Sequence, residues 1–148
     1  MAEPLDAAQA ALAAEHAAVY GYGVLGGRLS GARATEAHDA VTAHRSRRDS
    51  LARTVRDLGG SPVAAAAAYA LPFAVPDAAT ALRLAADLED RVAGAYSDLV
   101  RSAEGALRRD AAAALREAAV RAVRWRGGSV AFPGLAERPS APVPPAST

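Results

Sequence analysis

This chain of 148 residues has no cysteine, lysine, asparagine or isoleucine, and only 5% of it is aromatic. Without cysteine there is no disulfide, no thiolate ligand and no thiol nucleophile, and the redox compartment stays open. Without lysine, the basic residues are all arginine. Lys, Asn and Ile share AT-rich codons, so the bias reads as that of a GC-rich genome and the arginines carry no message about nucleic acid. Charge of one sign is lacking too. The net charge of +1 leaves no field to steer a polyanion. The segment "HRSRRDSLARTVR" interleaves its arginines with Asp49 and has no aromatic on which a base would stack. Long apolar runs are also missing. Val63 to Val75 is interrupted by Pro72 and falls short of the ~20 residues that a membrane-spanning helix needs. The opening "MAEPLDAAQ" places acids where a signal peptide has basic residues. The expectation is a cytoplasmic protein with neither a membrane nor a nucleic-acid partner.

What the chain has is alanine and helical periodicity. Hydrophobic residues make up 51% of it, and most of them are alanine. Four segments rich in Ala, Leu, Arg and Glu, free of internal proline, predict helices. They run from about Leu5 to Ser30, from Ala32 to Leu58, from an Asp77 N-cap to Ala103, and from Ala106 to Arg126. Apolar residues recur at steps of three and four on the first three, and each stripe carries polar residues. Glu15 lies between Leu12 and Val19, His44 and Arg48 between Val41 and Leu51, and Glu89 between Ala85 and Val92. Residues 1–135 read as one domain, and 136–148 as a Pro/Ala/Ser tail with nothing to bury, expected to be disordered.

The connections suggest a topology. "SGAR" and "SAEGA" are short enough for antiparallel hairpins. Between the second and third helices lies "GGSPVAAAAAYALPFAVPD", read as a short helix over Pro62–Ala70 followed by an extended stretch. Such a linker covers about 40 Å, the length of a long helix. It therefore permits one long crossover that leaves helices two and three parallel, the ferritin-like pattern. The fold class is all-α, a ferritin-like four-helix bundle with one long crossover.

The stretches "ALAAEHAAVYGYGVLGGRL", "HRSRRDSLARTVRDLG", "AAAYALPFAVPDAATALRLAADLED" and "REAAVRAVRWR" with "AFPGL" resemble a bacterial family of small ferritin-like domains of unknown function. The resemblance covers about Leu5 to Leu135. It implies the ferritin-like fold and no particular activity.

Di-iron proteins of this fold take one Glu from each of two helices and a Glu-x-x-His pair from each of the other two. Glu15 and Glu89 match the lone glutamates. The second helix offers His44 without its glutamate, and the fourth offers Glu117 without its histidine. A two-metal centre is then incomplete. The remaining set, Glu15, His44, Glu89 and Glu117, would suit at most a single iron, manganese or zinc ion. Arg48 lies one turn beyond His44, and Arg121 one turn beyond Glu117. A guanidinium there would satisfy a buried carboxylate by two parallel hydrogen bonds and occupy the space of a cation.

Two function classes follow. The preferred one is a non-catalytic structural or interaction module without a cofactor, its seam charges paired with Arg48 and Arg121. A core this rich in alanine buries little apolar area, which favours a homodimer. The alternative is a metal-binding or redox protein using the reduced Glu/His set. On the preferred reading Arg48→Ala should cost several kcal/mol, through a buried carboxylate left unpaired. A third class, a small ligand held between helices, has no specific feature of the sequence behind it.

Overall fold

A computed structural model describes residues 3–128 and 132–134. The proposed tail, 136–148, lies outside the described residues. The described chain is all-helical, with four helices and no strands: α1 Pro4–Gly26, α2 Gly31–Asp57, α3 Ala78–Ser102 and α4 Gly105–Arg126. None is long and apolar enough to cross a membrane.

Local chemistry explains the ends. Pro4 occupies the first turn of α1, where a missing N–H is no loss. Asp77 opens α3 with a capping box: its side chain accepts from the Thr80 N–H, and the Thr80 hydroxyl serves the Asp77 N–H in return. Gly127 ends α4 at φ +80°, a left-handed conformation in which a glycine carries no Cβ penalty.

The helices α1 and α2 pack together, as do α1 and α3, and α3 and α4. Alanine supplies more than half of the buried apolar residues, so the helices approach closely. At Gly21 an added Cβ would stand 2.5 Å from a Leu88 methyl. Gly23 and Gly26, by contrast, face open space. The core forms two clusters. One contains Leu12, Leu51, Val55, Val92 and Leu99, and the other Tyr22, Leu25, Leu84, Leu88 and Trp125. Of the buried polar residues, His44 and Glu89 come between the clusters in sequence on α2 and α3, and Glu15 lies among the first cluster's residues on α1.

The segment joining α2 to α3 contains no helix over Pro62–Ala70, contrary to the sequence expectation. Its backbone groups are engaged by α1 instead. Gln9 donates to the Ser61 carbonyl and accepts from the Val63 N–H, and His16 donates to the Val63 carbonyl at 3.0 Å. Farther on, Tyr20 packs against Tyr69 and Arg28 donates to the Val75 carbonyl. The linker thus follows α1 from Gln9 to just beyond its C-terminal end, at Arg28. A helix at Pro62 would need the Val63 carbonyl for itself.

Candidate functional site: a buried charge clamp

His44 is fully buried and lies between two carboxylates. Its Nδ1 is 2.6 Å from Glu15 Oε2 and its Nε2 is 2.8 Å from Glu89 Oε1. Carboxylates accept, so both ring nitrogens must donate, and only the imidazolium has two N–H groups. Burial alone would pull the imidazolium down. The hydrogen bonds and charges of Glu15 and Glu89 outweigh it and raise the His44 pKa from 6.5 to about 9. At neutral pH the ring is a cation clamped by two anions.

Each carboxylate also takes a tyrosine from the opposite helix. Tyr96 on α3 donates to Glu15 Oε1 at 2.7 Å, and Tyr22 on α1 donates to Glu89 Oε1 at 2.6 Å. Burial first, and then the adjacent carboxylates, push both phenols far above their ordinary value, so they remain neutral donors. Trp125 on α4 donates its indole N–H to the Tyr22 hydroxyl at 2.8 Å. Arg121, also on α4, donates through Nε to Glu89 Oε1 at 2.8 Å. Burial works against the Glu89 anion, yet His44, Arg121 and Tyr22 together hold its pKa below the usual carboxylate range. Glu15, Glu89, His44 and Arg121 sum to zero charge. Glu89 Oε2 is buried and has no partner among the described residues.

The sequence-derived site residues separate here. Glu15, His44 and Glu89 come together, and Arg121 joins them. Glu117 does not. It stands half-exposed on α4 and forms a two-point pair with Arg47 of α2, at 2.7 and 3.2 Å. Arg48 does not reach the site either; its guanidinium pairs with the neighbouring Asp49. The reason is that Glu15 already has both oxygens satisfied, by His44 and Tyr96. The several-kcal/mol cost expected for Arg48→Ala is accordingly corrected. An exposed pair of this kind contributes at most about 1 kcal/mol, whereas Arg121→Ala removes a hydrogen bond to a buried anion and should cost about 2 kcal/mol. Urea denaturation of the two variants checks the order, and a larger loss for Arg48→Ala would contradict it.

The set does not fit a metal ion in this arrangement. Both nitrogens of His44 carry protons toward carboxylates, which leaves no lone pair for coordination. Glu15 and Glu89 lie against opposite edges of the ring, and Glu117 faces Arg47. No group of three or more His, Cys, Asp or Glu among the described residues could hold a metal.

The tyrosine and tryptophan partners went unassigned in the sequence, although a signal for the tyrosines exists. Tyr22 follows Glu15, and Tyr96 follows Glu89, each by seven residues. Two such stripes meeting head to tail pair each tyrosine with the other helix's glutamate.

A family model described as a domain of unknown function (DUF4439) matches residues 7–137. A search of curated proteins found no match. Among solved structures, that of a conserved hypothetical protein, rv2844, from Mycobacterium tuberculosis is 39% identical, with a TM-score of 0.81. The match covers 84% of this chain and 95% of that one.

Proposed function

The chain belongs to the DUF4439 family, a domain of unknown function, and on that premise we propose a ferritin-like four-helix bundle whose metal centre is replaced by a protein charge clamp. It is a non-catalytic structural or interaction module, with the di-iron site in degenerate form. The observation that carries this reading is the bridging of Glu15 and Glu89 by both nitrogens of His44. The imidazolium, with Arg121, supplies the positive charge that a ferritin-like site takes from its cations.

The ferritin-like crossover has its own support. Tyr96 meets Glu15 while Tyr22 meets Glu89, so α1 and α3 run antiparallel. The hairpin α1–α2 then leaves α2 parallel to α3, and the linker's path along α1 is the crossover this requires. A homodimer would have its best apolar surface where Val120, Val123 and Phe132 stand exposed.

The test is metal dependence. Protein purified without chelators or a histidine tag, from cells supplied with iron, manganese and zinc, is expected to carry only traces of metal, unchanged in Glu15→Ala. Its melting curve should be the same with and without added metal, because an ion that binds the native state must raise the melting temperature by mass action. About one metal per chain, lost with Glu15, would overturn the proposal in favour of the metal-binding alternative.

A further inference from the structure

The helices α2 and α4 do not pack closely. Two arginines span the gap. Near one end Arg33 of α2 donates to the Arg124 carbonyl of α4 at 3.3 Å, and its guanidinium lies 5.2 Å from the centre of the Trp125 ring. Near the other end Arg47 pairs with Glu117. Between these two bridges is a cleft of about 280 Å³ lined by Glu36, Asp39, Ala40, Ala43, Arg121, Arg124 and Trp125. The small side chains of Ala40 and Ala43 leave this space open.

Its polar groups are fixed from behind. The Arg121 Nε is held by the buried Glu89, and the rest of that guanidinium makes no hydrogen bond among the described residues. Trp125 is held by Tyr22 through its indole nitrogen. Glu36 is occupied by Arg33 at 3.0 Å. Asp39, across the cleft from α4, makes no ion pair among the described residues. Donors locked in place by a buried partner bind an anion with little ordering cost. The cleft thus offers a preorganised cationic fork on one wall, an unpaired carboxylate on the other, and an aromatic ring with alanine methyls between them.

We propose that this cleft binds a small zwitterion of amino-acid size, its carboxylate on the free edge of Arg121 and its ammonium on Asp39, with an apolar side chain against Trp125. A simple anion would leave Asp39 facing it, and a simple amine would leave Arg121 unused. The volume lies at the low end of small-molecule sites, too small for a nucleotide. The site rests on the clamp's geometry, which holds Arg121 and Trp125 in place; metal content reports on the clamp, and ligand binding reports on the cleft.

Trp125 is the single tryptophan, so its fluorescence reports on the cleft directly. The probes are L-leucine and L-phenylalanine, each against the matching carboxylic acid without the amine and the matching amine without the carboxylate. Saturable binding at millimolar or lower concentration is expected for the amino acids, with each one-charge analogue weaker by about tenfold or more, the scale of one charge-assisted hydrogen bond. Asp39→Asn, on the exposed face of α2, should weaken amino-acid binding by about the same factor. Ala43→Leu should abolish it by filling the cleft, with the circular dichroism spectrum unchanged. No saturable response to either amino acid would overturn the proposal. Equal affinity for the analogues, or unchanged affinity in the folded Asp39→Asn and Ala43→Leu variants, would overturn it as well.

Discussion

Replacing His44 with leucine is expected to destabilise the protein by about 3–5 kcal/mol at neutral pH, the cost of removing one partner from a buried ionic cluster. The side chain is fully buried, and leucine fills a similar volume, so the loss is electrostatic rather than a cavity. In the variant Glu15 keeps only the Tyr96 hydroxyl, and Glu89 keeps Tyr22 and Arg121. Two buried carboxylates then face a space that no cation occupies. Adding Glu15→Gln should recover part of the loss, although the same change in the natural protein removes a partner of His44 and is destabilising. That non-additivity is the signature of groups acting as one network. Urea denaturation of the two single variants and the double variant supplies the cycle. A loss below about 1 kcal/mol for His44→Leu, the range of an exposed pair, would mean that the clamp holds little of the fold together.

The second large effect is alkaline destabilisation well below the pH at which tyrosines ionise. The His44 pKa is raised in the folded state, from 6.5 to about 9. Its stabilisation is therefore fully present below pH 6.5 and is lost as the pH rises through about 9. At about 1.4 kcal/mol per unit, this is roughly 3 kcal/mol. Tyr22 and Tyr96, also raised, add a further loss only above their unfolded value of 10.0. The window between pH 6.5 and 9 thus belongs to the histidine. Glu89 acts in the opposite direction. Its pKa is lowered, so its contribution is present above the ordinary carboxylate range and is lost as the pH falls through the folded value. Unfolding free energies measured across this range should show a plateau in mildly acidic solution and a decline on either side. Stability that stayed level from pH 6.5 to 9 would contradict a charged His44 in the folded state.

The helices were legible because their signals are local. Helical composition, the Asp77 cap and apolar stripes at steps of three and four all act over a few residues, and each helix end fell within a few positions of its expectation. The presence of Glu15, His44 and Glu89 in the interior was also legible, since polar residues on an apolar stripe have nowhere else to point. Partnership was not. The choice between Arg48 and Arg121 as a partner for a buried carboxylate depends on which oxygens are still free, and Tyr96 had already taken the second oxygen of Glu15. The pairing of Arg47 with Glu117 had no local signal either, because the gap between α2 and α4 that it spans is a tertiary feature. The linker failed for a related reason. Ser61-Pro62 is a good local helix start, but Gln9 and His16 of α1 bind its backbone, and these contacts lie about fifty residues away in sequence.

His44 stands as an imidazolium between two carboxylates, and nitrogen-15 NMR of its ring reads that state most directly. At pH 7 both ring nitrogens should be protonated, with a titration midpoint near 9 and no change on adding iron(II), manganese or zinc. A neutral ring at pH 7, with one bare nitrogen that shifts when metal is added, would contradict it.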